Sequence, residues 1–500
     1  MGKKVIIAGA GIAGLSAGCY LQMSGFDTEI FEMHTLPGGL CTSWQKKDYT
    51  IDGCIHWLVG SNPGDPFYAL WNELIDMKSI TFFDSEEYIR VEDDNCKCIR
   101  VYSDIDKLEA EFLLKAPEDR NLILELTAAA RKMSRLKLPV DKPQELFTLF
   151  DFMKFMVNLG PSIGLLRKWS KFTIADYAGR FSNPLLARTI NAMFVPEMSA
   201  LFMLMTIGWF HRRSAGYPVG GSLKFAQLIE NRYKSLGGKI HYGKKVEEIL
   251  VREIGNEHEV YGIKLADRCT HDADLIISAA DGYDTVFRML GGKFVDESTR
   301  KIYEDYTTFS SYMQVSIGVA RKFEPQPMTY IPLENELIVD PMTSIESIGF
   351  RIHHFDPTLA PEGKTLITAM IPTYNYEYWV NMRRDDPHRY KAEKHNLAKE
   401  VIKAIDMRLG NVESIIEMED VSTPATVLRY TNNWKGSFEG WILTPEIALK
   451  QMKKQLPGLR KFYMAGQWVE PGGGLPAALM SGRNLAQVIC KQKGVAFRKK

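Results

Sequence analysis

The sequence predicts an α/β chain in which a doubly wound, Rossmann-like domain is interrupted by an inserted α+β domain. Three observations predict it. The aliphatic run Val5-Ile6-Ile7-Ala8 leads into Gly9-x-Gly11-x-x-Gly14 and then into small residues at helical spacing. The turn Tyr217-Pro218-Val219-Gly220-Gly221 restores that character far downstream, and a strand, a glycine loop and a helix in series close the chain. Between the first two, residues 76–218 carry little strand signal beyond 80–102 and several helical stretches rich in Leu, Phe and Met, as an inserted segment would.

In order along the chain, residues 5–8 read as a strand, 13–24 as a helix with small residues where it presses on a sheet, and 26–32 as a second strand. Leu36-Pro37-Gly38-Gly39 breaks the pattern, and residues 49–58 resume a strand. After Gly220-Gly221 come a helix (223–236), strands at 239–242, 246–252 and 260–265, and the aliphatic run 275–280. Residues 301–420 alternate strands and helices, and the end of the chain offers a strand at 462–465 and a helix at 476–490. This divides the chain into a nucleotide domain in three parts (1–75, 219–300 and 421–500) and a substrate domain in two (76–218, mainly helical and apolar, and 301–420).

Composition narrows the function. Five hundred residues, at roughly 100 to 200 per domain, allow several domains. The 62 Lys plus Arg nearly balance the 61 Asp plus Glu, so the strong field of a nucleic-acid binder is missing and no nucleic-acid partner is expected. Seven cysteines without a Cys-x-x-Cys fit neither a disulfide framework nor a zinc ribbon. The chain therefore reads as reduced and cytoplasmic, with no metal site. Spaced glycines followed by an acid argue against a secretory signal at the N-terminus, and Ile6 stands where a myristoylation motif needs a hydroxyl. The longest uncharged run, residues 198–210, falls short of the ~20 residues that span a bilayer, so no transmembrane helix is expected. Two readings stay open for that run: a core helix lining a tunnel, or a peripheral membrane foot anchored by His211-Arg212-Arg213.

The chemistry-bearing pattern is the glycine turn with Glu32 ending the next strand. Gly9 permits the sharp turn, Gly11 lets the backbone approach a pyrophosphate, Gly14 allows close helix packing, and Glu32 suits a ribose hydroxyl. The helix N-terminus presents free amides to the anion. Gly38-Gly39 brings the chain back beside the pyrophosphate, which a plain NAD domain does not need. Together with Ala465-Gly466-Gln467 and Pro471-Gly472-Gly473-Gly474-Leu475-Pro476, a second strand, glycine loop and helix N-terminus, the pattern points to FAD held between the chain ends. No second GxGxxG follows a strand, so a resident NAD(P)H domain is not expected and electrons would pass to or from a transient donor or acceptor.

These residues, with Ile51-Asp52-Gly53-x-x-His56, Ala279-Ala280-Asp281, Asp356-Pro357-x-Leu359-Ala360-Pro361-x-Gly363-Lys364 and Thr423-Pro424 followed by Tyr430 and Gly436, resemble the phytoene desaturase, carotenoid isomerase and retinol saturase family over nearly the whole chain. The resemblance implies an FAD domain of the glutathione-reductase and amine-oxidase type. It implies cofactor contacts from Gly9, Gly11, Ile12, Ala13, Gly14, Glu32, Met33, Gly38, Gly39 and Leu40, adenine-side packing by Val246, and contacts from Ala280, Gly466, Gln467, Gly474, Leu475 and Pro476. Leu40 stands where many relatives carry a basic residue, and Gln467 where many carry an acid. His56 is read either as a structural histidine or as a polar, catalytic handle on substrate or flavin. The His56-Trp57 pair is closer to the retinol saturase branch.

The function expected is an FAD-dependent oxidoreductase that moves a hydride between flavin N5 and a long apolar unsaturated substrate (isoprenoid, carotenoid, retinoid or other lipid), as desaturase, saturase or isomerase. The Met and aromatic residues of 146–169 and 193–210 would wall its tunnel. The alternatives are a flavin amine oxidase, with Arg212-Arg213 as carboxylate binders, and a prenyl-lipid carrier of the same fold without flavin chemistry. Glu362-Gly363-Lys364-Thr365 reads as an ordinary turn because Thr358 stands where a P-loop needs glycine.

Overall fold

The computed structural model describes residues 2–137, 139–448, 450 and 452–499. A five-stranded parallel sheet forms the nucleotide half, in the order Lys239–His241, Asp27–Phe31, Lys4–Ala8, Leu275–Ser278, Phe462–Met464. A parallel sheet covered on both faces needs strands that are apolar on both sides. Val5, Ile6, Ile7, Ile276 and Ile277 accordingly have no exposed surface. The opening helix Ile12–Met23 is buried on nearly every side, which its small residues permit. The closing helix Gly474–Lys493 lies against it so closely that a Cβ on Gly482 would strike the Ala13 carbonyl, and Ser16 Oγ donates to the Leu479 carbonyl at 2.8 Å. Strand order reverses around the N-terminal strand, and the crevice at the carboxyl ends of such strands is where this architecture binds ligands.

The second half is a seven-stranded sheet in the order Ile416–Ser422, Ser311–Val319, Thr365–Thr373, Thr343–Ile352, Met328–Asp340, Glu87–Glu92, Cys98–Tyr102. All its pairings are antiparallel except that of Met328–Asp340 with Glu87–Glu92. The two strands within 80–102 thus complete a sheet whose other members lie more than two hundred residues later. One face packs on the helix Pro387–Leu409 through Ile317, Phe350, Ile367, Leu397, Val401 and Ile405. Alternation along the strands turns Tyr330, Gly349, Arg351 and Met370 to the opposite face, where they line a cavity.

Two expectations for the apolar segments are corrected or resolved here. The run 198–210 is the helix Ala200–His211, a core helix with Leu201, Met203, Leu204 and Ile207 buried. Its supposed basic anchor Arg212 donates instead to Asp65 Oδ2 at 2.9 Å and to the carbonyls of Ser134 and Leu136. The membrane-foot reading of this run is therefore wrong: an apolar helix with no polar face gains most from burial on all sides. Of residues 146–169, expected in the tunnel wall, the helix Leu149–Leu159 lies on the surface, and Ile163–Trp169 anchors to the core through Trp169 without lining the cavity. Leu149, Phe150 and Val157 are each at least three-quarters exposed. Leu149–Trp169 is also the one stretch among the described residues long and apolar enough to cross a membrane.

Candidate functional site

Two cavities meet at the carboxyl edge of the parallel sheet. The first is lined by Gly9, Gly11, Ile12, Ala13, Glu32, Met33, Gly38, Gly39, Leu40, Val246, Ala280, Gly466, Gln467, Gly474 and Leu475. The structure thus brings together most of the expected cofactor set from four separate stretches of chain. Three members stand apart. Gly14 is behind the turn, where a Cβ would collide with the Gly9 carbonyl oxygen, so it acts by packing. His56 and Pro476 line only the second cavity.

Local geometry explains the residue types. Gly9 sits at φ +101°, a conformation that side chains disfavour, and its N–H donates to the Phe31 carbonyl at 2.8 Å. The Gly38 N–H donates to the Ala10 carbonyl at 2.9 Å, which draws the double-glycine turn onto the first one. Glu32 is buried, and its carboxylate accepts from the Ala10 N–H at 2.7 Å and the His34 N–H at 2.8 Å. Burial raises its carboxyl above the ordinary value while these amides oppose the rise. Gly466 and Gly474 have positive φ, and the Gly466 N–H donates to Ser481 Oγ on the closing helix at 2.8 Å. Gln467 faces the cavity and donates from Nε2 to Asn433 Oδ1 at 3.0 Å. Bare glycine backbone, a buried acid at the end of the second strand and two converging helix N-termini fit an extended dinucleotide with an anionic centre.

The second cavity measures about 1240 Å³ and lies between the seven-stranded sheet and the core helix Ala200–His211. Met193, Phe194, Met198, Phe202, Met205 and Trp209 furnish one wall, as expected of 193–210. Trp57 packs edge-on against Phe194 and Phe210, so the His56-Trp57 pair belongs to this wall. Leu40, Cys54, Phe438, Glu439, Gly474 and Leu475 line both cavities and form their junction.

The remaining motifs converge behind the junction. Asp52 is buried and accepts from Tyr217 Oη at 2.8 Å, the Ser222 N–H at 3.2 Å, Ser222 Oγ and the Cys54 N–H. Ser222 Oγ in turn accepts from the Ile55 N–H at 2.8 Å. The Gly220 N–H donates to Asp356 Oδ2 at 2.8 Å. Three segments far apart in sequence are thus knotted by two carboxylates, and Gly221 at φ +77° is bare because a Cβ would come within 3.0 Å of Asp52 Oδ2. Asp281 accepts from the backbone amides of Asp284 and Trp434, both at 2.7 Å, and burial pushes it up to about 7.

Sequence reasoning missed Glu439. Its carboxyl lies against the glycine loop, where a Cβ on Gly473 would strike it, and burial pushes it up to about 8, opposed only by the Gly474 amide. An acid in the apolar stretch Phe438-Glu439-Gly440-Trp441-Ile442 was the available signal. Glu439 therefore presents a protonated carboxyl to both cavities near neutral pH. A carboxyl raised from 4.5 to about 8 contributes stability in full below pH 4.5 and loses it as pH rises to 8, because the native state binds the extra proton across that window. Glu439→Gln is expected to flatten this slope: its Tm minus that of wild type, both flavin-loaded, should grow between pH 6 and pH 9. A constant difference would count against a raised Glu439.

His56 projects into the larger cavity, and burial together with the Arg351 guanidinium pushes its ring down to about 3, so it is neutral at physiological pH. His353 and His354 take no part in the site: His353 Nε2 pairs with Thr368 Oγ1 at 2.9 Å, and His354 Nδ1 faces the Ile352 carbonyl at 3.1 Å.

Comparison with known proteins agrees with this geometry. The chain is similar to the chloroplastic prolycopene isomerase of Arabidopsis thaliana, 23% identical over 517 residues that cover 98% of this chain and 83% of that one. It is equally similar to a 4,4'-diapophytoene desaturase (4,4'-diapolycopene-forming) of Methylomonas sp, 23% identical with 99% and 97% covered. These bear out the resemblance to phytoene desaturases and carotenoid isomerases. An oxidoreductase structure from Methanosarcina mazei shares the fold, with a TM-score of 0.61 at 18% identity over 97% of this chain and all of that one. The family of flavin-containing amine oxidoreductases matches residues 12–490. A chain matched over that span, with a dinucleotide cleft opening onto a second cavity, belongs to the flavin-containing amine oxidoreductase family and is an FAD-dependent oxidoreductase.

Proposed function

We propose that the enzyme acts on a long apolar unsaturated substrate of the isoprenoid or carotenoid class, as a desaturase, saturase or isomerase. The observation that carries this reading is the cavity of about 1240 Å³, walled by Met and aromatic side chains and joined to the cofactor cleft at Leu475 and Glu439. The names of the desaturase and isomerase relatives support it. In this reading Gly9, Gly11, Glu32, Gly38, Gly39 and Val246 hold the FAD, and Gly466, Gly474 and Leu475 border its reactive end. The flavin supplies hydride exchange at N5. The apolar wall excludes water and aligns the chain, and Phe438 and Leu475 set which carbon reaches the junction. Arg212, whose guanidinium is committed to Asp65 and two carbonyls, does not serve an amino-acid substrate here. The test is anaerobic: offer carotenoid precursors, retinoids and unsaturated fatty acids to the oxidised flavin and follow its bleaching (desaturation), then to the reduced flavin and follow its re-oxidation (saturation) or a rearranged product without net flavin change (isomerisation). A purified protein without flavin absorbance would overturn the reading and favour a lipid carrier.

We also propose that the enzyme touches a membrane surface through Leu149–Leu159 and exchanges electrons with a transient carrier there. The helix exposes Leu149, Phe150, Met153 and Val157, and Lys154, Arg167, Lys168 and Lys171 lie on it or close behind it in sequence, a charge pattern that suits anionic lipid. The double variant Phe150→Glu with Val157→Glu should lose co-sedimentation with anionic vesicles while keeping its flavin. Equal sedimentation of variant and wild type would reject this contact.

A further inference from the structure

A cation stands on the sheet wall of the substrate cavity. Arg351 lies on the strand Thr343–Ile352, and alternation puts it on the cavity face beside Gly349. One of its guanidinium nitrogens donates to the His56 carbonyl at 3.1 Å. No carboxylate pairs with it among the described residues. Asp52, the acid whose charge reaches it, already spends both oxygens on Tyr217, Ser222 and Cys54. A guanidinium stays charged in proteins and carries five donors in a planar fork. Leaving such a group uncompensated inside a protein is costly, so it marks a place where an anion is expected.

The surroundings define the anion. Tyr330 is the cross-strand partner of Gly349 and therefore a diagonal neighbour of Arg351, and its hydroxyl has no hydrogen-bond partner among the described residues. His56 projects into the same space as a neutral ring. The second arginine of this cavity, Arg188, is exposed, as are Asp94, Glu334, Glu336 and Glu346, and Glu439 lies at the junction against the glycine loop. One fork with one phenol matches the two oxygens of a carboxylate, whereas a diphosphate would call for further cations. Position matters too. Gln314 pairs with Met370, and Met370 with Gly349, so the fork lies two strands, roughly 10 Å, from the strand that borders the junction.

We propose that Arg351, with Tyr330 and His56, binds the carboxylate end of a long unsaturated acid whose apolar chain runs to the cofactor junction. This deepens the function proposed above, rests on it for the chain's long unsaturated apolar body, and adds that the body ends in a carboxylate.

Binding of arachidonic acid and of its methyl ester to the flavin-loaded enzyme, followed by quenching of the cavity tryptophans Trp57 and Trp209, tests it. Wild type is expected to prefer the acid at least tenfold. Arg351→Met should weaken the acid about 10- to 100-fold, the range of a charge-assisted hydrogen bond, and leave the ester unchanged. Arg351→Lys should fall between, because it keeps the charge without the fork. Unchanged flavin content and Tm of both variants exclude a folding effect, and if Arg351→Met unfolds, Tyr330→Phe gives the same readout with a smaller loss. Equal binding of acid and ester by wild type, failure to bind the acid, or an acid preference that survives in Arg351→Met overturns the proposal. Turnover of hydrocarbon polyenes on the oxidised or the reduced flavin without acid preference would retain the general function and reject the carboxylate site. Acid preference without turnover of any substrate on either the oxidised or the reduced flavin would do the reverse.

Discussion

Gly14→Val is expected to give a colourless protein, with flavin content reduced more than tenfold and stability lowered by ~3 kcal/mol or more. The Cβ of any residue at position 14 would overlap the Gly9 carbonyl oxygen and press on Ala279. Neither neighbour can rotate away. Gly9 is pinned by its hydrogen bond to Phe31 and by its own φ of +101°, and the helix Ile12–Met23 is clamped by Gly482 of the closing helix. Overpacking typically costs 1 to about 3 kcal/mol where side chains can yield, and backbone yields less. Gly11→Ala makes the informative contrast. A Cβ there meets nothing nearer than the Gly38 carbonyl at 4.0 Å, so the apoprotein should fold normally and the loss should be confined to FAD affinity. Absorbance at the flavin band and urea unfolding of both variants separate packing from cofactor approach. Normal flavin content in Gly14→Val would refute the assignment.

Asp52→Ala should lower stability by about 3 to 5 kcal/mol, because it leaves several buried neutral donors without an acceptor at about 1 to 3 kcal/mol each. The variant strands Tyr217 Oη, Ser222 Oγ and two backbone amides that now share the carboxylate. Because these donors come from the segment before His56 and from the turn at Gly220-Gly221, the loss should also loosen the junction of the two cavities. Asp52→Asn keeps the shape and one acceptor oxygen and should recover part of the stability. Unfolding free energies of the three proteins at pH 7 check the order wild type, Asn, Ala. Near-equal stability of Asp52→Ala and wild type would show that the network is not what holds these segments.

Much of the cofactor half is readable in the chain because local rules fix it. A glycine turn between an aliphatic strand and a small-residue helix has few other uses, and most strand and helix limits there fall within about three residues of those expected. The strand expected at 49–58 is the exception, ending at Asp52 before a separate short strand Leu58–Val59 that pairs in another sheet. The glycine cleft lines up from Gly9 to Leu475 for the same reason. The misses share a cause as well. Residues 149–157 and 201–210 have similar composition, yet one is on the surface and the other in the core. Apolar content states only that a segment leaves water for something. Arg351 and Glu439 were passed over because a single charge in a strand or an apolar loop usually faces solvent, and no spacing rule marks the exception.

The sequence alone determined the dinucleotide turn, the strands and helices that flank it and the FAD, since each rests on contacts between residues near in the chain or on residue types with one conformational use. The tertiary structure decided which apolar helix lines the tunnel and which stays outside. It also decided that Asp52, Tyr217, Ser222 and Asp356 form one knot, and that the Arg351 guanidinium looks into the cavity. Those outcomes depend on pairings across more than a hundred residues, where the free energy of burial and of charge is set by neighbours that no local pattern names.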